Sequence, residues 1–294
     1  MDAHQGIIVR SLSGFYTVAE GAARYECRAR GRLRLSEEGL LVGDRVCFEP
    51  QTDGTGRVLS VQPRRWALGR PAVANVDALV LLVSAAVPVT ELWVIDQMTA
   101  RCEAAGCPCL LVVSKTDLAP GELFSEVYSG LYPVYPVSAS TGEGIESLRR
   151  ALRGRICALA GNTGVGKSSL LNALCPTLRQ PVGEVSAKLG RGRHTTRHVE
   201  LFGIGEDTFL VDTPGFSSLE DGELFRPEPE ALPALFPEMR AVTEPCRFDD
   251  CRHAAEPDCA VRRAVEDGRI RPERYRSYLR MLEAALERRS RAYK

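Results

Sequence analysis

Polar and apolar positions alternate with a period of two along the first part of the chain. Short alternating runs lie at residues 6–10, 14–20, 24–35, 41–48 and 56–62, with turn residues such as Gly43 and Asp44 between them. This period predicts strands with one buried face. Five short strands in succession predict a small all-β barrel of the OB type, which we assign to residues 1–70.

From residue 76 the apolar positions form continuous runs instead. Runs at 76–84, 109–115, 134–137 and 155–160 predict strands covered on both faces, and two more lie at 198–204 and 208–212. Segments with helical spacing separate the first four runs and follow the fourth, at 91–105, 123–131, 145–152 and 168–174. Alternating strands and helices predict a parallel, doubly wound sheet in a central α/β domain at 71–222.

The last part of the chain, residues 223–294, becomes acidic and rich in proline and then helical. Apolar and aromatic residues at helical spacing predict one packed stripe on the final helix, and they are Tyr275, Tyr278, Leu279, Leu282 and Leu286. No apolar run has the length of a membrane span, and the first residues carry no signal pattern. We therefore expect a cytoplasmic protein without membrane contact, whose ten cysteines are reduced.

Charge is unevenly distributed although the formal net charge is zero. Residues 1–70 and 260–294 are basic, and residues 216–258 are acidic. In the run at 24–35, four arginines at period two would share one strand face, and they are Arg28, Arg30, Arg32 and Arg34. Such a face is either merely solvated or follows an RNA backbone, and the lack of interleaved acids favours RNA.

The nine-residue segment at 161–169 fits the phosphate-binding pattern G-x-x-x-x-G-K-[ST]. Its residues are Gly161, Asn162, Thr163, Gly164, Val165, Gly166, Lys167, Ser168 and Ser169. A predicted strand enters it and a predicted helix leaves it, which is the context that the site requires. Backbone N–H groups would hold phosphate oxygens, Lys167 would reach the β- and γ-phosphates, and Ser168 would bind Mg²⁺. A glycine-rich turn without a ligand is the alternative, and the demanding pattern disfavours it.

A second phosphate motif, Asp212-Thr213-Pro214-Gly215, follows the predicted strand at 208–212. The Asp212 carboxylate would hold Mg²⁺ through water, and the Gly215 N–H would contact the γ-phosphate. In the long basic loop between Cys175 and Arg197, which follows the phosphate-binding segment and its helix, Thr195 or Thr196 would close on Mg²⁺ and the γ-phosphate. Our working set of Mg²⁺ ligands is Ser168, Thr196 and Asp212.

Two further motifs are typical of guanine recognition. Ser114-Lys115-Thr116-Asp117 occupies the place of N-K-x-D, and Ser138-Ala139 matches the S-A-x element. A carboxylate at Asp117 can accept from guanine N1 and the 2-amino group, a donor pair that adenine lacks. Each motif alone also fits an ordinary strand-to-helix loop, but the two together make that explanation improbable. They favour GTP over ATP, and an ATP-using P-loop enzyme is the alternative.

The order of these motifs is itself informative. In ordinary GTPases the phosphate loop comes first, whereas here the guanine motifs precede it along the chain. The central domain is therefore predicted to be a circularly permuted P-loop GTPase.

Hydrolysis is predicted to be slow without a partner. Phe216 follows Gly215, at the position where many GTPases have a glutamine that orients the attacking water. Lys167 and His194 are the catalytic candidates, although His194 is as readily a solvated loop histidine. A nucleotide-gated RNA-binding module with negligible hydrolysis remains the alternative function.

Four potential metal ligands cluster at Cys246-x₄-Cys251-x-His253-x₅-Cys259. Three thiolates and one imidazole suit tetrahedral zinc with no open position, which is a structural site. The alternative is a set of unrelated reduced cysteines. The clustering favours zinc, because the other seven cysteines are scattered.

Taken together, these motifs resemble the RsgA (YjeQ) family, bacterial circularly permuted GTPases that act in small ribosomal subunit assembly. The resemblance covers nearly the whole chain, from the barrel through the loop at 161–169, the segment Gly192-Arg193-His194-Thr195-Thr196 and the Asp212 motif to the cysteine cluster. It implies binding to the 30S subunit and its 16S rRNA, subunit-stimulated hydrolysis of GTP to GDP, and one structural zinc. The sequence departs from the family at Ser114, where asparagine is common. We expect a monomer with a mostly helical zinc-binding domain at its end.

Overall fold

Five strands close into a barrel at the start of the chain. The computed structural model describes residues 3–29, 31–34, 39–65, 67–68, 73–175, 199–212 and 225–292. The barrel strands are β1 (His4–Leu12), β2 (Phe15–Glu20), β3 (Ala23–Ala29), β4 (Arg45–Pro50) and β5 (Thr55–Val61), in the order β1-β2-β3-β5-β4. Alternate side chains such as Ile8, Val18 and Phe48 are fully buried inside it. The predicted OB-type barrel is thereby confirmed.

One barrel strand is shorter than predicted. β3 ends at Ala29, and Gly31–Arg34 forms a helical turn, α1. The predicted arginine face is therefore wrong, because Arg28 lies in β3 while positions 32 and 34 lie in α1. The reason is pairing: β2 begins at Phe15, opposite Arg28, so a longer β3 would lose its β2 partner.

A six-stranded sheet forms the centre of the molecule. A two-stranded connection, β6 (Ala67–Leu68) and β7 (Val73–Ala74), leads into it. The sheet strands are β8 (Ala78–Ser84), β9 (Cys109–Ser114), β10 (Val134–Pro136), β11 (Ile156–Ala160), β12 (Leu201–Gly205) and β13 (Thr208–Asp212), in the order β10-β9-β8-β11-β13-β12. The predicted parallel arrangement holds except for β12, which runs antiparallel to β13. A turn at Glu206 and Asp207 joins these two strands and is too short for the crossover that parallel pairing needs.

Helices cover both faces of this sheet. They are α2 (Leu92–Ala105), α3 (Glu122–Tyr128), α4 (Ile145–Leu152) and α5 (Lys167–Leu174). Ile95, Met98 and Cys102 of α2 belong to the same hydrophobic cluster as the buried side chains of α3, and the buried apolar side chains of α4 and α5 belong to another. Along the chain, each of these helices follows a parallel strand, in the order β8, β9, β10 and β11. The helices therefore begin near the carboxyl ends of those strands, which is where ligands bind in open α/β sheets.

The last part of the chain is helical, and its hydrophobic cluster also includes Ala100 of α2. A 3₁₀ turn (Leu232–Leu235) leads to α6 (Pro237–Arg240), α7 (Ala260–Glu266) and α8 (Pro272–Ala292). The predicted stripe of α8 is confirmed, since Tyr278 and Leu282 are buried and Tyr275, Leu279 and Leu286 pack against the same cluster. No helix within the described ranges combines the length and the apolar character needed to cross a membrane.

A buried arginine attaches these helices to the central domain. Arg274 of α8 is 1% exposed, and its guanidinium lies 2.6 Å from Asp96 of α2 and 2.7 Å from Glu238 of α6. The Tyr128 hydroxyl donates to the same Asp96 oxygen at 2.6 Å. Burial raises the pKa of Asp96, and the positive charge of Arg274 opposes that shift. A buried charge that loses its partner costs several kcal/mol, so a shift of α8 that separated Arg274 from Asp96 would be unfavourable. The ion pairs of Arg274 therefore favour one position of α8 on α2.

Candidate nucleotide site and metal cluster

The phosphate-loop segment turns sharply between β11 and α5. Gly161, Gly164 and Gly166 have φ angles of 155°, 83° and 99°. A Cβ atom at Gly161 would lie 2.5 Å from the carbonyl oxygen of Leu82, so glycine is required there by space as well. Since α5 begins directly after the loop, a helix N-terminus adds its partial positive charge to this site.

The predicted lysine lies against that loop. Lys167 is the first residue of α5, and its ammonium group donates to the carbonyl oxygens of Gly161 and, at 3.0 Å, of Asn162. The next residue, Ser168, is buried at the start of the helix. Both side chains therefore lie where the sequence places them, at the junction of the loop and the helix.

Ser114 connects the guanine motif to the phosphate loop. Its hydroxyl oxygen lies 2.6 Å from the carbonyl oxygen of Val165 and 2.9 Å from that of Val83. Serine thus reaches the loop although it is shorter than asparagine. The neighbouring Lys115 has a φ of 60°, and its ammonium group donates to the carbonyl of Val87 at 2.7 Å.

Asp117 is held by hydroxyl groups. Ser140 donates to its Oδ2 at 2.7 Å, and the Ser140 and Ser138 hydroxyl oxygens lie 2.9 Å apart. Hydrogen bonds from Ser140 and Ser138 lower the pKa of Asp117 below its usual value. The carboxylate form, which can accept two N–H groups, is therefore favoured. The sequence prediction did not include Ser140. Its hydroxyl group, two positions after Ser138, could have indicated a hydrogen-bond donor beside the predicted guanine site.

A cavity of about 500 Å³ opens between these loops. The predicted residues that line it include Ser114, Lys115, Asp117, Ala139, Gly166 and Ser169. Its other lining residues, which the prediction did not include, are Leu118, Val137, Ser140, Leu170, Asn172 and Ala173. The volume lies within the usual range of a ligand pocket, about 300–1,000 Å³. One cavity therefore joins the guanine motif to the end of the phosphate loop.

Part of the predicted magnesium and switch set is not among the residues that the structure describes. His194, Thr195, Thr196 and Gly215 fall outside the described residues. Asp212 ends β13, and its backbone pairs in register with Leu159 of β11, two residues before Gly161. Position 212 and the phosphate loop thus lie at the same edge of the sheet, and the Mg²⁺ assignment stays a prediction.

The four predicted metal ligands come together in the C-terminal part. Their ligand atoms all lie within 4.8 Å of one another. The sulfur atoms of Cys246 and Cys259 are 3.9 Å apart, and His253 Nδ1 lies 3.6 Å and 3.4 Å from them. A tetrahedral ion with zinc–sulfur bonds of about 2.3 Å and a zinc–nitrogen bond of about 2.0 Å requires a sulfur–sulfur separation of about 3.8 Å and a sulfur–nitrogen separation of about 3.5 Å. The Cys246, Cys251, His253 and Cys259 cluster can therefore hold a metal ion.

Surrounding groups orient the cluster. The Ala260 N–H, at the start of α7, donates to the Cys246 sulfur at 3.4 Å, and the Tyr275 hydroxyl donates to the His253 carbonyl at 2.7 Å. Burial favours the neutral Cys246 thiol, but the Ala260 N–H and the thiols of Cys251 and Cys259 outweigh it and lower the pKa of Cys246. A thiolate is the form that binds a metal.

Comparison with known sequences gives two family matches. The profile of the family described as RsgA GTPase matches residues 61–221, and that of the RsgA N-terminal domain matches residues 5–58. A protein of Geobacillus kaustophilus named small ribosomal subunit biogenesis GTPase RsgA is 42% identical, over 98% of this chain and 99% of its own. Its namesake from Thermotoga maritima is 41% identical, over 97% and 98% of the two chains.

Two solved structures share the architecture. The crystal structure of YjeQ from Thermotoga maritima superposes with a TM-score of 0.79 and 36% identity, over 97% of this chain and 99% of that one. The structure of YloQ, which is described as a circularly permuted GTPase, gives a TM-score of 0.77 and 32% identity, over 98% and 96%. The predicted circular permutation is thereby confirmed.

Proposed function

The chain belongs to the RsgA family of GTPases, and on that premise we propose that it hydrolyses GTP to GDP and phosphate in the biogenesis of the small ribosomal subunit. The observation that carries the proposal is the single cavity that joins Asp117 to Gly166. A guanine base beside Asp117 and phosphates beside Gly166 would together occupy the length of this cavity. The names of the relatives support the ribosomal role.

Each predicted residue then has a task in holding the nucleotide. The backbone of residues 161–166 and the start of α5 would bind the phosphates, and Lys167 would move from its loop carbonyls to the β- and γ-phosphates. Asp117 would read guanine N1 and the 2-amino group, and Ala139 would offer its backbone N–H to O6. In support of this division, Asp117, Ala139 and Gly166 all line the same cavity.

Magnesium would accompany the nucleotide. Ser168 and Asp212 would bind it, with Thr196 joining when the loop that contains it closes. When bound, Mg²⁺ neutralises charge on the β- and γ-phosphates. Gly215 and either Thr195 or Thr196 would contact the γ-phosphate, and His194 would position the attacking water. Since Phe216 offers no hydrogen bond to that water, turnover would depend on the ribosomal subunit.

The barrel offers a face for 16S rRNA. Leu12, Phe15, Arg28 and Arg57 form one row across β1, β2, β3 and β5. Their side chains are exposed, and the Arg28 guanidinium lies 4.5 Å from the centre of the Phe15 ring. An aromatic ring beside cationic side chains suits stacking on unpaired bases and contact with phosphates. This row replaces the single-strand arginine face that the sequence suggested.

Zinc is the metal we propose for the cluster. Three sulfur ligands and one imidazole leave no open position on a tetrahedral ion, so the role would be structural. The metal would hold the loop between Cys246 and Cys259 against α7 and α8. We place the three functional modules at 1–70, 71–222 and 223–294, in a monomer that works in the cytoplasm, where subunits are assembled.

Single-turnover hydrolysis of GTP tests the proposal directly. The full chain, loaded with Mg²⁺ and labelled GTP, is mixed with purified 30S subunits, with 50S subunits, or with buffer. We expect acceleration by 30S subunits alone and no turnover of ATP. A Lys167→Ala chain serves as the inactive control. Binding to 30S subunits without acceleration would favour the alternative of a nucleotide-gated RNA-binding module.

A further inference from the structure

Exposed aliphatic side chains concentrate beside the nucleotide cavity. Among the described residues, seven large hydrophobic side chains are exposed, and four of them follow the ends of β8 and β9. They are Val87 (84% exposed), Val89 (58%), Leu118 (70%) and Leu123 (52%). Scattered exposed hydrophobic residues are ordinary, but a group on one face commonly marks an interaction surface.

The topology places these four residues on one edge of the sheet. β8 and β9 are parallel neighbours that end together at Ser84 and Ser114, so residues 85–91 and 115–121 leave the same edge, and Leu123 lies in the first turn of α3 directly after them. The Lys115 ammonium group ties the two segments together through the Val87 carbonyl at 2.7 Å. The helices that follow are adjacent, since the Tyr128 hydroxyl contacts the Leu92 carbonyl at 3.3 Å. We call Val87, Val89, Leu118 and Leu123 the guanine-side rim, because Leu118 also lines the cavity.

The segments that carry the rim are rich in acidic residues along the chain, and α8 brings the cation Arg280 onto α2, where its guanidinium lies 4.1 Å from the centre of the Trp93 ring. Between Arg70 and Arg149 the sequence contains nine acidic residues, and its basic residues there are Arg101 and Lys115. Glu91, Glu122 and Glu126 are exposed on the helices or turns that carry the rim. RNA phosphates would be repelled here, in contrast to the basic row on the barrel.

We propose that the guanine-side rim is a docking surface for a cationic, partly apolar segment of a protein, which under the proposed function would be a protein of the small ribosomal subunit. The apolar side chains fit aliphatic groups of such a segment, and the three glutamates fit its lysines and arginines. Proteins that assemble with RNA carry an excess of those cations. Because Leu118 belongs to both the rim and the cavity, the docked segment would cover part of the cavity mouth and slow nucleotide exchange.

Site-specific photocrosslinking separates a protein partner from RNA. The photoreactive residue p-benzoylphenylalanine replaces Leu123 in the full chain, which is bound to purified 30S subunits with a non-hydrolysable GTP analogue and irradiated. We expect an adduct that survives ribonuclease and contains a ribosomal protein. The same residue at Phe15 on the barrel should give an adduct that ribonuclease removes.

A charge reversal gives opposite results for the two kinds of partner. Glu126→Lys should weaken binding to 30S subunits about threefold to tenfold if a cationic protein docks, and should strengthen it if rRNA does. Glu206→Lys changes the charge equally at the opposite edge of the sheet and should have no effect. Guanine nucleotide affinity of the isolated chain should stay the same in both variants, which shows that the fold is intact.

The outcomes distinguish this inference from the proposed function. Barrel crosslinks to rRNA without a protein adduct at Leu123, or tighter binding of Glu126→Lys, would overturn the docking surface alone. Failure of the unmodified chain to bind 30S subunits would overturn the ribosomal role and the docking surface together.

Discussion

The hydroxyl oxygen of Ser114 lies 2.6 Å from the carbonyl oxygen of Val165, 51 residues further along the chain. This contact joins the end of β9, where the predicted base-reading motif begins, to the loop predicted to hold the phosphates. Ser114, a residue that is 6% exposed, therefore braces the two halves of the predicted nucleotide site against each other.

Removing this hydroxyl should weaken nucleotide binding. Ser114→Ala leaves the buried Val165 carbonyl without that donor, and one such hydrogen bond contributes about 1 kcal/mol. We expect GTP and GDP affinity to fall by about threefold to tenfold, measured by titration with a fluorescent guanine nucleotide. Ser129→Ala, at an exposed position after α3, is the matched control and should bind normally. Unchanged affinity in Ser114→Ala would show that the contact has no role in binding.

Asp117 should determine the choice of base. Asp117→Asn replaces an acceptor by an amide that offers N–H groups, so guanine loses its partner and xanthine gains one. We expect the preference for GTP over xanthosine triphosphate to fall by about a hundredfold or more, measured by competition against labelled GTP. Asp207→Asn, in the exposed turn before β13, is the control. A variant at position 117 that still prefers guanine would refute the assignment.

The lowered pKa of Asp117 predicts how binding depends on pH. Hydrogen bonds from Ser140 and Ser138 stabilise the carboxylate, so it stays ionised as the pH falls towards its ordinary value of about 4. Nucleotide affinity should thus show no loss attributable to Asp117 between pH 8 and about pH 5. Ser140→Ala removes the largest of these hydrogen bonds, and its loss of affinity should begin at a higher pH. Identical pH profiles for the two proteins would contradict this explanation.

Loss of one cluster ligand should release the metal. Cys251→Ser leaves three of the four ligands, and we expect elemental analysis to find zinc well below the level of about one ion per chain in the unmodified protein. Thermal unfolding of the C-terminal part should occur at a lower temperature, because metal binding and folding are coupled there. Cys47→Ser, a partly exposed thiol on β4, should retain the metal. Stoichiometric zinc in the Cys251→Ser protein would refute the ligand set.

The buried arginine should be far more important for stability than an exposed one. Arg274→Met leaves Asp96 and Glu238 without their cation, and breaking a buried ion pair in this way costs about 3–5 kcal/mol. We expect a lower midpoint of urea unfolding and loosened attachment of α8 to α2, visible as faster amide exchange in both helices. Arg276→Met, two positions away with an exposed side chain, should be close to neutral. Equal effects of the two substitutions would show that the buried group does not stabilise the junction.

Sequence periodicity was sufficient to predict an element wherever the apolar pattern matches the side-chain burial that the structure shows. The apolar run at 76–84 became β8, and the stripe from Tyr275 to Leu286 became the packed face of α8. It was insufficient at the end of β3, because the alternation of Arg28 to Arg34 says nothing about where the neighbouring strand begins. The turn α1 replaces the predicted strand because β2 starts opposite Arg28.

The sequence by itself determined the strands and helices of the central sheet and the final helix, and it predicts which residues carry the phosphate, guanine and metal chemistry. These properties depend on residues that are close together along the chain, such as the glycines of the loop at 161–166 or the spacing of the cysteines. Only the tertiary structure decided that Ser114 contacts Val165, that Ser140 supports Asp117, and that Arg274 pairs with Asp96, 178 residues away. Contacts at such separation depend on how whole elements pack, and a one-dimensional pattern does not contain that packing.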